Sequence, residues 1–297
     1  MNYGIVDIGS NTIRLNVYQV EENGYTILFS KKYTVGLASY FEEDKLSREG
    51  IEGLKVTISN ILDIKKSVKI EQMLFFATAS LRNATNNQEI IVEVKDELGI
   101  TIDLLSQDEE SRLGHIGIEE VYGKTDGLFV DIGGGSSEVA IYQDDGIVGD
   151  ASLSIGSLSL SKEFVKEILP VEAEFFAMRN HVKGLLKSKA DLGTFETLFG
   201  IGGTVRAIGR VIQSMGKTES STQFSVKQLK NLSRKMVSYD KRAFKTLIKI
   251  APDRLHTFVP GMAILLEICK KYDVETVFVS NKGIREGYLL DYLEKHK

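Results

Sequence analysis

Apolar positions follow two periods along the chain, and the periods alternate. Residues 3–8 form a buried-strand run ending in a glycine turn. Residues 12–20 (Thr-Ile-Arg-Leu-Asn-Val-Tyr-Gln-Val) alternate apolar and polar as a strand does. Helical spacing runs over 47–68, opened by Ser47, and again over 86–98 and 107–121, the last with acids in its first turn. Between these helices, 73–78 and 127–132 are short apolar runs that predict strands. The alternation predicts an α/β chain. The polar, glycine-bearing stretch 122–127 is the best break, which predicts domains over 1–124 and 125–283.

The pattern also repeats. Ile5-Val6-Asp7-Ile8-Gly9 returns as Phe129-Val130-Asp131-Ile132-Gly133, an offset of 124 residues. At that offset Tyr18 and Gln19 meet Tyr142 and Gln143, so duplication explains more than a chance tripeptide does. In a dinucleotide fold the glycine turn leads into a helix. Here the residues after each turn alternate like a second strand, so the unit is a β-hairpin. Phosphate in its loop would be held by backbone N–H groups and hydroxyls.

Four loops carry that chemistry. The first is Asp7-Ile8-Gly9-Ser10-Asn11-Thr12 with Arg14 beyond it, and the second is Asp131 to Glu138 through Gly133, Gly134, Gly135 and Ser136. The third, Gly200-Ile201-Gly202-Gly203-Thr204-Val205-Arg206, leads into a helix, whose N-terminus favours anions. The fourth is Ala77-Thr78-Ala79-Ser80-Leu81-Arg82. Taken singly, each reads equally well as a tight turn. Two in a duplicated hairpin, each led by an aspartate at a strand end, point to phosphate. An aspartate after an apolar run is costly unless compensated, and Mg²⁺ beside phosphate would compensate it. The plain alternative is a turn-capping aspartate.

Composition adjusts this picture in three places. At 297 residues, 42% hydrophobic and 26% charged, the chain has the makeup of a globular protein of one large or two medium domains. One Cys allows no internal disulfide and no Cys-built zinc site, and the four histidines show no metal spacing. The start carries no basic leader and no apolar stretch is long enough to span a bilayer, so the expectation is a cytoplasmic protein without a membrane partner. The net charge of −4 speaks against a nucleic-acid partner. It also hides a basic segment, 225–249, with eight Lys or Arg against Asp240 alone. Lys241, Lys245 and Lys249 share one helical face there, either a solvated face or a track for a polyanion. Two decoys are set aside. Gly216-Lys217-Thr218 lacks the upstream glycine of a P-loop and reads as a helix stop, and Cys269 reads as core.

In order, these motifs resemble the exopolyphosphatase / guanosine pentaphosphate phosphatase (Ppx/GppA) family of the actin-like ATPase superfamily. The likeness rests on residues 7–15, 77–84 and Glu109-Glu110-Ser111-Arg112-Leu113. It continues through 131–138, 200–204, Val259-Pro260-Gly261 and 279–287. It implies an α/β fold of two actin-like (ribonuclease H-like) domains with mixed sheets and an interdomain cleft. It also implies that a last helix, about 284–297, packs back on the first domain. Members remove the terminal phosphate of inorganic polyphosphate, or the 5′ terminal phosphate of pppGpp, with Mg²⁺ or another divalent cation. Glu110 matches the catalytic glutamate, Arg82 a substrate-binding arginine, and Asp131 and Glu138 metal-associated positions. Asp7, Gly9, Ser10, Asn11, Arg14, Gly133, Gly134, Gly135, Ser136, Gly202, Gly203, Thr204 and Arg254 complete the expected phosphate-binding set.

Two departures surround Glu110. Many relatives carry Glu-Ala-Arg where this chain has Glu110-Ser111-Arg112, and Ser-Gly where it has Ser106-Gln107. Without the resemblance, Asp108, Glu109 and Glu110 all read as acids favoured by the positive end of a helix. The longer members append a helical His-Asp metallohydrolase region, for which the expected two domains leave no room here. Family habit implies a homodimer. An ATP-dependent kinase of the same superfamily, or a non-catalytic polyphosphate or nucleotide sensor, would share these phosphate loops.

Overall fold

Both halves of the chain open on an antiparallel hairpin, and the reason is the period-two pattern around each Asp-Ile-Gly turn. In the computed structural model, which describes residues 1–143, 146–216 and 218–296, contacts divide the chain into Met1–Glu110 and Ser111–Lys297.

The first unit contains β1 (Asn2–Ile8), β2 (Thr12–Glu21), β3 (Gly24–Thr34), the short pair β4 (Phe41–Glu42) and β5 (Lys45–Leu46), and α1 (Arg48–Val68). There follow β6 (Gln72–Ala77), α2 (Ala79–Arg82), α3 (Asn87–Leu98), β7 (Ile102–Leu104) and the first turn of α4 (Gln107–Tyr122). Its main sheet has the order β3-β2-β1-β6-β7, with β1 antiparallel to β2 and parallel to β6. Val6, Ile8, Ile13, Leu15 and Val17 turn one face of the hairpin into the core beneath α1 and α3. Ser47 caps α1 as its sequence predicts, its hydroxyl accepting from the Gly50 amide.

The second unit contains the rest of α4, β8 (Gly127–Ile132), β9 (Ser137–Gln143), β10 (Gly146–Asp150), α5 (Ser157–Phe164), α6 (Glu172–Lys187), β11 (Thr197–Ile201) and α7 (Gly202–Ser214). It continues with β12 (Gln223–Ser225), α8 (Val226–Val237), α9 (Lys241–Ile250), a 3₁₀ turn at Pro252–Arg254, α10 (Phe258–Lys271), β13 (Thr276–Val279) and α11 (Ile284–Lys295). Its sheet has the order β10-β9-β8-β11-β13-β12. The first five strands in that order repeat the arrangement of the first unit's sheet, so the duplication read from six identical residues extends through a whole sheet. Leu128, Val130, Ile132 and Val139 face a large helical core. Phe129, Ala140 and Tyr142 face the other way, toward Ile118 of α4.

The division between units falls inside α4, not in the 122–127 loop that the polar pattern selects. From Ser111 onward α4 packs on the second sheet. His115 stacks on Tyr142 at 3.8 Å, and Ile118 joins the Phe129 group. Helix α11 falls in the second unit together with the rest of α4, and it packs on α4 residues 112–117, which the polar pattern assigns to the first domain. Gly287 lies so close to the Leu113 carbonyl that a Cβ would overlap it, Gly117 meets Gly283 in the same way, and Arg112 pairs with Asp291 at 2.8 Å.

Candidate active site

In the first unit the hairpin turn closes with the Gly9 amide donating to the Thr12 carbonyl at 3.1 Å. The carbonyls of Ser10 and Asn11 accept from the amides of Ala38 and Gly36, both at 2.9 Å. That fixes the loop from behind, while among the described residues the Ser10 and Asn11 amides donate to no protein acceptor. Asp7 stands directly across from Arg14, so their side chains share one face of the sheet. The fourth loop follows β6, the parallel neighbour of β1. Its Ser80 is buried and donates its hydroxyl to the Ile8 carbonyl, so it braces the two loops together instead of facing substrate.

Arg82 ends α2 and donates to the Leu105 carbonyl at 2.9 Å and to the Glu110 carboxylate. Glu110 is only 4% exposed. Its neighbours are distinct from it. Glu109 is exposed and accepts from the Ser106 amide and hydroxyl at 2.8 and 2.9 Å, while the Ser106 hydroxyl accepts from the Glu109 amide at 3.2 Å. This is a capping box for α4. Asp108 is exposed. Of the three acids, Glu110 alone is buried and held by an arginine.

In the second unit the same turn closes with the Gly133 amide donating to the Ser136 carbonyl at 3.0 Å. The Gly133 and Gly134 carbonyls accept from the first amides of α5, Ser157, Leu158 and Ser159, at 2.9 to 3.0 Å. Among the described residues the Gly134, Gly135 and Ser136 amides donate to no protein acceptor. Three adjacent N–H groups so arranged form an anion nest. Sequence reasoning missed the α5 brace; the signal was Gly156-Ser157, because a Cβ at Gly156 would strike the Gly134 backbone.

Asp131 stands directly across from Glu138, which is 4% exposed. Two carboxylates at opposed positions repel, and a divalent cation removes that cost. Gly202, with φ 80°, opens α7 against them: a Cβ there would collide with the Asp131 carboxylate. Among the described residues no side chain caps α7, so its first amides and the positive end of its dipole face the same place. A Cβ at Gly203 would collide with the Arg254 guanidinium, which also donates to the Thr204 hydroxyl at 3.4 Å. Burial lowers the Arg254 pKa, and Asp253 and Asp131 oppose the change while Arg210 adds to it. The second unit therefore brings Asp131, Glu138, the triple-glycine nest, Gly202, Gly203, Thr204 and Arg254 together. The first unit does the same for Asp7, Gly9, Ser10, Asn11 and Arg14, with Arg82 held on Glu110.

Asp131 and Glu138 suit Mg²⁺, which takes one or two carboxylates and completes its shell with water and phosphate oxygens. Among the described residues no group of three or more His, Cys, Asp or Glu could hold an ion; an ion held by these two would complete its shell with phosphate oxygens and water. Other singled-out motifs are structural. Gly261 in the Val-Pro-Gly run makes room for the Thr204 side chain. In 279–287, Glu286 caps the Gly283 amide at 2.9 Å. Cys269 is core, and burial pushes its thiol up to about 12. Gly216 ends α7 with φ 68°; Lys217 lies outside the described residues.

The duplicated hairpins and paired phosphate loops define an actin-like α/β phosphatase fold. The chain belongs to the Ppx/GppA phosphatase family, whose model matches residues 16–296. It is 26% identical over 299 residues to a guanosine-5′-triphosphate,3′-diphosphate pyrophosphatase of Photobacterium profundum, covering 99% of this chain and 59% of that protein. It is 25% identical over 308 residues to exopolyphosphatase 1 of Mycobacterium tuberculosis, covering 99% and 89%. The crystal structure of the Aquifex aeolicus family member superposes with a TM-score of 0.81 at 22% identity, covering 100% of this chain and 99% of that one. The chain thus spans less than two thirds of the Photobacterium relative and most of the mycobacterial one. No helix among the described residues is long and apolar enough to cross a membrane.

Proposed function

We propose that this chain hydrolyses a terminal phosphoanhydride bond, releasing inorganic phosphate from inorganic polyphosphate or the 5′ terminal phosphate of pppGpp, in the cytoplasm. The observation that carries this reading is the opposition of Asp131 and Glu138 beside a phosphate nest and the uncapped start of α7. A carboxylate pair asks for a cation, and the amides ask for an anion; a magnesium-bound phosphate is both. The relatives' names, one a pyrophosphatase and one an exopolyphosphatase, support the same class of bond.

Phosphoryl transfer needs positioning and charge neutralisation more than covalent help. The Gly134, Gly135 and Ser136 amides, with those of Gly203 and Thr204, would hold phosphate oxygens. Arg254 and Arg14 would offset the charge that gathers in the transition state. Magnesium, when held by Asp131 and Glu138, would supply further neutralisation of phosphate oxygens. Glu110 would accept a proton from the attacking water. The water oxygen then bonds to the terminal phosphorus as the bridging P–O bond breaks, and the shortened chain leaves with that electron pair. Arg82, now on Glu110, would swing part of its charge to substrate.

The test is phosphate release, with Mg²⁺ and no acceptor, from long polyphosphate, tripolyphosphate, pppGpp and ATP. Glu110→Gln should lower kcat by about a thousandfold or more while leaving the far-UV spectrum and melting curve near those of the parent. Near-normal release by that variant would remove Glu110 from the mechanism. Consumption of ATP only when an acceptor is added, with the phosphoryl group carried on the acceptor and no phosphate released, would point to a kinase instead.

A further inference from the structure

The basic segment 225–249 folds into α8 and α9, and only α9 gathers its charges. Ala243 and Leu247 bury one face of α9, which packs on α7 and α8. The other side, with Lys241, Arg242, Lys245, Thr246 and Lys249, lines a hollow of about 440 Å³ together with Ser214. Among the described residues no carboxylate pairs with any of these four cations. The nearby Asp240 is turned to its own task, capping α9 by accepting from the Ala243 amide at 2.8 Å. Four like charges around one concavity raise its potential and lower stability until an anion enters.

A second basic hollow shows the contrast. Lys183, Lys187, Lys189, Lys270 and Lys271 line it with Asp191 and Glu267. There Lys271 is used structurally, donating to the carbonyls of Leu186, Lys189 and Ala190 at the end of α6. The α9 hollow has no such internal employment for its lysines.

Its position gives it a direction. Ser214 ends α7 and Gly202 begins it, so the hollow starts about 18 Å from the first residue of α7 at the usual helical rise. Lys241, Lys245 and Lys249 then succeed one another at about 6 Å along α9. The chain beyond Lys249 passes directly into the 3₁₀ turn that carries Arg254 to Thr204 at the start of α7. The cations of the hollow are thus joined through a short stretch of chain to Arg254, which stands beside the start of α7.

We propose that this row is a second anion site, which takes the body of a linear inorganic phosphate chain while its end occupies the phosphate loops. The inference rests on the reading of the loops as a polyphosphate site, and it selects polyphosphate over the compact pppGpp. Lysines recognise charge density rather than a fixed planar shape, which suits a flexible chain of identical anions. Single-stranded nucleic acid is disfavoured, since its sites add aromatic platforms for the bases and this hollow is lined by no ring.

The test compares Lys241→Gln/Lys245→Gln/Lys249→Gln with a control of equal charge loss, Lys183→Gln/Lys187→Gln/Lys270→Gln. All six side chains stand at the surface, and melting curves check that each variant folds. Removing the α9 lysines should raise KM for long polyphosphate about tenfold more than KM for tripolyphosphate, and should flatten the dependence of log KM on log salt by about two. The control should leave the ratio of the two KM values unchanged. Equal shifts for both chain lengths, or the same ratio shift in the control, would overturn the site. If the parent protein releases no phosphate from either substrate, the hydrolase reading fails, and equilibrium binding of long polyphosphate decides the site by itself. Binding lost only in the α9 variant supports it. Equal binding in all three proteins, or equally tight binding of a single-stranded oligonucleotide, sinks it.

Discussion

At the turn of the first hairpin Asp7 faces Arg14; at the same register of the second, Asp131 faces Glu138. The backbones around these pairs match closely. Each turn is closed by the same amide-to-carbonyl bond, 3.1 Å in one and 3.0 Å in the other. Each has its carbonyls tied down from behind and its amides left for an anion. One cross-strand residue changes the electrostatics of the whole device. With arginine opposite, the aspartate has a cation across the sheet from it. With glutamate opposite, two carboxylates stand at one register, and Arg254 brings its charge near Asp131. In the proposed reading the duplicated scaffold is one anion cradle used twice, and the residue across from the aspartate would set whether phosphate is met directly or through a metal.

The largest expected effects break this contrast directly. Glu138→Gln should raise the Mg²⁺ concentration for half-maximal phosphate release by about 10–100-fold, on the scale seen when metal-site partners are lost. Arg14→Met should lower kcat/KM by about 10–100-fold, as loss of a charge aimed at the transition state does, with the Mg²⁺ requirement unmoved. Magnesium titrations of both variants read the difference. If Arg14→Met shifts the magnesium curve as far as Glu138→Gln does, the two turns do not divide the work in this way.

A middle-sized effect separates the turns from the helix that faces the second one. Gly133→Ala places a Cβ 3.1 Å from the Ser136 carbonyl, a tight but adjustable contact. Gly202→Ala has to adopt φ 80° and push aside Asp131. The strain alone costs about 1–3 kcal/mol, so Gly202→Ala should melt lower and also bind Mg²⁺ more weakly, because the displaced carboxylate is a metal candidate. Gly133→Ala should show the smaller loss in both. Thermal denaturation with and without Mg²⁺ measures the pair.

The sequence makes some of this legible and conceals the rest for physical reasons. Local pattern carries the hairpins, the cap at Ser47 and the strand over 127–132, because each depends on residues adjacent in the chain. The opposition of Asp131 and Glu138 follows once a hairpin is assumed, since register across a tight turn is fixed by loop length. The unit boundary is hidden because α4 keeps one uninterrupted helical period from its first turn in one unit to its end in the other. The docking of α11 is hidden because it depends on what Gly117, Gly283 and Gly287 lack. Three consecutive acids at 108–110 look alike to periodicity, although Ser106 with Glu109 is a capping box and could have set Glu109 apart. The ion pair of Arg82 with Glu110 joins residues 28 apart, and Ser80 reaches the Ile8 carbonyl 72 residues away; no local pattern shows either.

The smallest effect asks whether the difference between the halves is confined to their turns. In the first unit Lys55, 8% exposed, reaches Glu93 at 2.7 Å and Glu52 and Glu97 at 2.9 Å. Hydrogen bonds from Arg48 and Lys55 hold the Glu93 carboxyl below its usual range, against the opposing effect of burial. A carboxyl with a depressed pKa in the folded state adds stability above its unfolded pKa, and that stability fades as pH falls through the acid range toward the folded value. Lys55 has its pKa raised by the same partners, so its share persists at neutral pH and is lost only at strongly alkaline pH. In Lys55→Met the Glu93 carboxylate keeps Arg48 but loses Lys55, so it is stabilised less in the charged form and has less stability to lose as it is protonated. Between pH 7 and pH 4 the variant should therefore lose less melting temperature than the parent. Its magnesium titration, which the proposed site at Asp131 and Glu138 would govern, should keep the parent's dependence on pH. Parallel melting and magnesium curves across that range read both at once. A magnesium curve that moved with Lys55 would mean that the ion cluster and the metal turn are coupled, and that the contrast between the two hairpins is not local to them.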